Sequence, residues 1–263
     1  MIEPKNSTVL ITGATGGIGR ELAVVFAHHG YNLCITARNP QVLRSQSEDL
    51  QRTYQVRCTW QACDLSRPSA AETIFNHLQE QHLQIDILVN NAGFGNWGKF
   101  DQTELGTELE EIQLNIIAVV KLTKLFLPVM MKRRSGKILN VASTAGFVPG
   151  PYMSIYYATK AFVLSFSEAL REEVKGTGVT ISVLCPGETK TNFQKRASIE
   201  ETNLTLKGFV MNPEIVARKA FDGLMKNKPV IIPGTRNKFL IFSTRILPRA
   251  IIRQIVRWFN KLR

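Results

Sequence analysis

Short apolar runs rich in β-branched residues alternate along this chain with longer stretches whose apolar positions recur every three to four residues. The first pattern predicts buried strands and the second amphipathic helices. Strands are expected near 7–12, 32–37, 55–61, 85–90, 136–142, 179–184 and 229–232. Helices are expected near 17–29, 41–53, 68–82, 104–132, 154–175 and 213–227. Regular alternation of the two predicts parallel βαβ units, whose right-handed crossovers place helices on both sheet faces. The fold class is therefore α/β, a doubly wound, Rossmann-like parallel sheet of about seven strands. No repeat, low-complexity stretch or Pro/Ser-rich linker divides the chain. Residues 1–235 read as one dinucleotide-binding and catalytic domain, and 236–263 as a tail.

Ligands of such sheets sit beyond the carboxyl ends of the strands, so those loops are where chemistry is expected. After the first strand, Gly13, Gly17 and Gly19 stand in a Gly-x-x-x-Gly-x-Gly turn with Thr15 and Ile18 between them. A turn of this kind lets backbone approach a pyrophosphate and aims a helix N-terminus at it. Its plainer reading is a bare link from strand to helix. A NAD user needs an acid at the end of the second strand to accept from the ribose 2′-hydroxyl. Here the segment is Ile35-Thr36-Ala37-Arg38-Asn39, with no carboxylate and with Arg38 placed to grip a 2′-phosphate. NADP(H) is thus the expected cofactor; a solvated loop arginine is the alternative. Asp64-Leu65 after the third strand is expected at the adenine. In Asn90-Asn91-Ala92-Gly93 after the fourth, Asn91, Ala92 and Gly93 pass the adenine ribose and Asn90 ties strands together.

Tyr156 and Lys160 lie one helical turn apart and share a face. A phenol of ordinary pKa about 10 exchanges protons poorly near neutrality, and an adjacent ammonium favours its ionised form. Ser143, at the end of the fifth strand, can donate to the same substrate oxygen. Standing alone, a Tyr and Lys at this spacing are a common pair on a helix surface. Combined with Ser143 and the glycine turn, they point to proton transfer at a carbonyl.

At this point the chain resembles a short-chain dehydrogenase/reductase of the compact, single-domain kind over residues 7 to 235. The likeness rests on Thr12–Gly19, Asp64-Leu65, Asn90–Gly93, Asn115, Ser143, Tyr156–Lys160 and Pro186-Gly187-Glu188-Thr189-Lys190-Thr191. It implies that Tyr156 is the acid/base, that Lys160 holds the nicotinamide ribose, and that Ser143 orients the carbonyl. It further implies that Asn115 helps hold a water that relays protons. Pro186, Gly187, Thr189 and Thr191 would flank the nicotinamide and bond its carboxamide. Gly16 stands where many relatives carry Ser or a basic residue, which throws 2′-phosphate binding onto Arg38. Asn192 to Val210 would be the substrate lid; Phe193 and Phe209 fit a partly apolar pocket there and fit core packing equally well. The activity implied is reduction of a carbonyl compound to an alcohol; a lipophilic ketone or ketoacyl substrate would suit a membrane-facing tail. NAD-linked alcohol oxidation and a non-catalytic nucleotide sensor of the same fold are the alternatives.

At 263 residues and 44% apolar content the chain can bury one sizeable core. Its net charge of +12 is concentrated at the end. Arg236, Lys238, Arg245, Arg249, Arg253, Arg257, Lys261 and Arg263 are interrupted by no acid. Pro248 can start a helix in which these residues recur beside Ile251, Ile252, Ile255, Val256, Trp258, Phe259 and Leu262. Two readings compete for residues 236–263: peripheral contact with a membrane, or packing on the chain's own domain or a second subunit. The basic stripe is too short and too poor in interleaved aromatics for nucleic acid. The excess of apolar residues in 104–132 suggests a helix–helix contact in a homo-oligomer. The four cysteines lack a Cys-x-x-Cys pair and the four histidines a metal-ligand spacing, so reduced thiols and no metal are expected. The start has no apolar signal segment, and no run of 18 uncharged apolar residues promises a membrane span. A cytoplasmic setting follows as the expectation, with peripheral contact at the inner membrane face as its variant.

Overall fold

A computed structural model describes residues 3–191, 193 and 210–261. The seven strands are β1 (Thr8–Thr12), β2 (Asn32–Ala37), β3 (Cys58–Ala62), β4 (Ile87–Asn90), β5 (Gly136–Val141), β6 (Val179–Leu184) and β7 (Val230–Ile231). All pair in parallel, in the order β3-β2-β1-β4-β5-β6-β7. Chain direction across the sheet reverses between β1 and β4, the switch point at which doubly wound sheets open a ligand crevice. β3 starts three residues later than expected. Gln55 closes the preceding helix in a left-handed conformation, and the link to β3 is then held by Arg57, whose N–H donates to the Asn32 side chain.

Side chains of a strand alternate between faces, and the core follows that period. Val9 and Ile11 join one cluster with Phe26, Leu43 and Phe221, from α1 (Gly17–His28), α2 (Pro40–Tyr54) and α7 (Pro213–Met225). Leu10, Leu88 and Ile138 point the other way, to Ile74 of α3 (Ala70–Glu80) and to Leu122 and Phe126 of α5 (Ala118–Lys132). Asn39 and Asn212 cap α2 and α7 by accepting from Val42 N and Glu214 N, each with proline next in sequence.

The expected helix 104–132 is continuous but not uniform. α4 (Leu105–Ile112) passes into α5 through a π-helical turn at Gln113–Ile117. By length and composition Leu105–Lys132 could cross a bilayer, which counting uncharged runs did not anticipate. In the fold its apolar side faces α3 and the central strands, with Met130 fully buried. Asn90 ties strands as expected. Its amide donates to Asn140 Oδ1 at 2.8 Å, and Asn140 donates to Ser167 Oγ at 2.9 Å on α6 (Ser154–Glu173), all three out of solvent.

Residues 236–261 are not a free tail. They form α8 (Thr235–Ser243), which the sequence pattern did not predict, and α9 (Arg249–Lys261), which begins beside Pro248. Ile241, Ile252 and Asn260 are buried, so packing on the chain's own body accounts for part of this segment. Leu262, Arg263, Phe209 and the bulk of the lid segment lie outside the described residues.

Candidate active site

The loops that follow β1 to β6 open onto one cleft of about 1040 Å³. At its floor the glycine turn does what its residue types permit. Gly13 and Gly17 take φ of +65° and +52°, a region L side chains avoid. A Cβ on Gly19 would sit 2.3 Å from Gly13 O, and one on Gly17 would sit 2.7 Å from Thr191 Cγ2. Gly16, in contrast, faces open space, and no side chain caps the α1 N-terminus there. Asn91 locks this turn to the end of β4. Its amide donates to Thr12 O at 2.8 Å, while Asn91 N and Ala92 N both donate to Thr12 Oγ1 at 2.9 Å.

Gly13, Thr15, Gly17 and Ile18 line the cleft from below. Arg38, then Asp64 and Leu65, border one end, while Asn91, Ala92 and Gly93 pass along its middle. Pro186, Gly187, Thr189 and Thr191 close it beyond β6. Gly19 and Asn115 do not line it; both lie directly behind the wall. Partial burial pushes the Asp64 carboxyl up, but hydrogen bonds from Ser66 and the charges of Arg38 and Arg67 hold it net below its ordinary range. A glycine cradle, an uncapped helix start and a cleft of this length fit a dinucleotide; Arg38 borders one end of the cleft, and Ala37–Asn39 holds no carboxylate.

At the other end Tyr156 and Lys160 border the same cleft, joined by Ser143. The Lys160 ammonium lies 5.7 Å from the Tyr156 ring centroid and donates to Val141 O at 3.1 Å. Ser143 begins a 3-10 turn, accepting from Ala145 N at 3.1 Å and donating to Pro186 O at 3.4 Å. Its hydroxyl thus couples the Tyr156 end of the cleft to the Pro186-Gly187 loop. Asn115 sits within the π-helical turn, a distortion frequent at functional sites. Its amide donates to Phe94 O at 2.8 Å and Thr159 Oγ1 at 3.1 Å, and its Oδ1 accepts from Phe94 N. These bonds pin the β4 loop and the first turns of α6 to one point. Gly93 makes that meeting possible: a Cβ there would lie 2.9 Å from Asn115 Oδ1 and 3.3 Å from Lys160 Nζ.

Sequence reasoning missed Glu111, Gly95 and Asn260. Glu111 is 0% exposed; its Oε2 accepts from Asn96 N at 3.1 Å, and Oε1 has no partner. Burial drives its carboxyl up to about 8, opposed by the Asn96 hydrogen bond and by Lys160. Burial drives the Lys160 ammonium down to about 8, opposed by Glu111 and Cys185. A carboxyl one turn before Asn115 in an apolar stretch was the available signal. Because the folded carboxyl prefers its proton, wild-type stability should fall as pH rises from about 4.5 through about 8. Glu111→Gln lacks that loss, so its advantage should widen across this window and then hold, at a value on the order of 5 kcal/mol. Chemical denaturation at several pH values checks this; a constant gap between the two proteins would count against it.

Gly95 backs the tyrosine, since a Cβ there would lie 2.9 Å from both Tyr156 Cδ2 and Phe193 Cζ. Beyond it the mouth is apolar. Met153 is buried among Trp97, Tyr156, Tyr157 and Phe193, and Phe193 lies 5.1 Å from Tyr156, centroid to centroid. Asn260 of α9 reaches this rim. Its backbone carbonyl accepts from Trp97 Nε1 at 2.8 Å, its Oδ1 accepts from Tyr157 OH at 3.3 Å, and its amide donates to Pro151 O at 3.0 Å.

A model of the short chain dehydrogenase family matches residues 7–202. This chain belongs to that family. As a short-chain dehydrogenase it is 37% identical over 205 residues to 17-beta-hydroxysteroid dehydrogenase type 3 of Rattus norvegicus, covering 76% of this chain and 66% of that one. Ketoacyl reductase HetN of Nostoc sp. is 30% identical over 96% of this chain and 89% of its own length. Among solved structures, a short-chain dehydrogenase from Sphingobium yanoikuyae in complex with NADPH superposes with a TM-score of 0.82 at 33% identity, covering 91% of this chain and 93% of that one. Several curated relatives of this dehydrogenase are longer than it, and it spans between 53% and 66% of their length.

Proposed function

We propose that this dehydrogenase reduces a lipophilic ketone or ketoacyl compound to the alcohol with NADPH, reversibly. The observation that carries the reading is one continuous cleft with Arg38 at one end and Tyr156 beside Lys160 at the other. Steroid and ketoacyl chemistry in the names of two relatives, and an apolar mouth built from Trp97, Met153 and Phe193, support a lipophilic carbonyl.

Bound here, a reduced nicotinamide supplies hydride to the carbonyl carbon. The chain's own part is positional and protic. The Tyr156 hydroxyl donates a proton to the carbonyl oxygen, and Ser143 Oγ orients that oxygen by a hydrogen bond. Lys160 steadies the developing phenolate by its charge and holds the nicotinamide ribose. Asn115 fixes the π-helical turn and, through Thr159, the helix carrying both groups. Since reduction consumes the phenolic proton, its rate should fall on the alkaline side. Ile117 and Phe162 are exposed apolar groups on α4–α5 and α6, a face suited to pairing subunits in a homo-oligomer.

The test is loss of NADPH absorbance against fatty, steroid-like and aromatic ketones, with Arg38→Asp alongside. Reversing the charge that would meet a 2′-phosphate should weaken NADPH by roughly a hundredfold and change NADH by less than about threefold. Equal losses for both cofactors would refute the phosphate role. Absence of turnover across the panel would refute the reductase.

A further inference from the structure

The part of the chain that catalysis leaves unexplained is its end. α8 exposes Phe239 (71%), Leu240 and Phe242; the following turn exposes Ile246 and Leu247; and α9 exposes Ile251, Ile255, Trp258 (59%) and Phe259. Water-facing apolar surface on this scale marks an interaction site. Helical spacing sorts α9 into three strips. Ile252 and Asn260 are the buried one, Ile251, Ile255 and Trp258 an apolar one, and Arg253, Arg257 and Lys261 a basic one between those two, with Lys261 nearest Trp258. The chain carries no acid after Asp222, so the six described cations from Lys238 to Lys261 stand on a segment with no carboxylate of its own.

We propose that α8 and α9 dock on an anionic lipid bilayer and hold the substrate mouth against it. Phosphate headgroups supply the negative charge that these helices lack, and the acyl boundary takes the apolar strip, with Trp258 at the level of the headgroups. A second copy of the same face is a poor match, because it would set cations against cations. The surface is anchored to the mouth by Asn260, whose hydrogen bonds to Trp97, Tyr157 and Pro151 leave it 1% exposed. Docking therefore fixes the rim at the interface, where a carbonyl compound dissolved in lipid can enter beside Tyr156 without crossing water. This last step rests on the lipophilic-substrate reading above; the docking surface does not.

The experiment uses the full chain with phosphatidylcholine vesicles prepared with and without phosphatidylglycerol. Co-sedimentation is expected with the anionic vesicles alone and should weaken as salt is raised. The triple variant Arg253→Glu/Arg257→Glu/Lys261→Glu should partition roughly a hundredfold less. It should keep wild-type NADPH oxidation on a small water-soluble ketone and lose any vesicle-dependent gain on a long-chain ketone. Wild-type protein that ignores anionic vesicles, or binds them regardless of salt, overturns the proposal whether or not the variant folds. So does an oligomer by light scattering that Trp258→Asp converts to monomer, because the face would then cover a second copy. Failure on the small ketone would instead strike the reductase reading and leave the surface standing.

Discussion

Tyr156→Phe should lower the rate of ketone reduction by roughly 10²–10⁴-fold while leaving dinucleotide affinity within about a factor of 2. The two halves of that expectation come from different contacts. The ring itself is held by Phe193 at 5.1 Å and by the bare backbone of Gly95, and Phe preserves both. Lys160 keeps its place over the ring because its hydrogen bond goes to Val141 O. Only the proton donor is lost. Single-turnover absorbance at the nicotinamide band reads the chemical step, and fluorescence titration reads binding. Turnover within tenfold of wild type would remove Tyr156 from the mechanism.

Lys160→Met should abolish measurable turnover and yet make the folded chain more stable at neutral pH. Burial lowers the ammonium to about 8 against an ordinary value of 10.5, which means that holding it charged inside the fold costs stability. The direction with pH follows. Below about 8 the full cost is present; between about 8 and 10.5 the unfolded chain binds a proton that the folded one does not, so wild-type stability rises with pH. Met removes the charge and keeps the stem. Of a desolvation cost of order 3 kcal/mol, part is offset by orphaning Val141 O, leaving a net gain of about 1–2 kcal/mol at pH 7. That gain should shrink as pH approaches 10. A variant less stable than wild type at every pH would show that the ammonium is better compensated than its neighbours Glu111 and Cys185 imply.

What the residues announced in advance was whatever their own type constrains. The glycine turn could be read because positive φ and close backbone contact admit little but glycine at Gly13, Gly17 and Gly19. Tyr156 and Lys160 could be placed on one face because four residues make one helical turn. The strands were visible as apolar runs because β1 and β4 are buried on both sides. What stayed hidden depends on partners remote in sequence. Gly95 matters only because Tyr156 and Phe193 fold onto it, and Glu111 only because Lys160 is buried nearby. The π-helical turn at Gln113–Ile117 inserts no residue type that would betray it. In α9 the buried strip is narrow and ends in an asparagine, so a hydropathy pattern could not separate the face that meets the domain from the one that meets its surroundings.

The buried run of Asn90, Asn140 and Ser167 sets a rule for recombination among relatives. Asn90 and Asn140 each donate to a neighbour on a different element, Asn90 to Thr123 Oγ1 as well, so a crossover that imports β4 without β5, or β5 without α6, takes away a partner of a buried donor at about 1–3 kcal/mol. Exchanging all three segments together carries no such penalty. Viable chimeras should therefore break before β4 or after α6, and breakpoints between Asn90 and Ser167 should be depleted among those that express in soluble form.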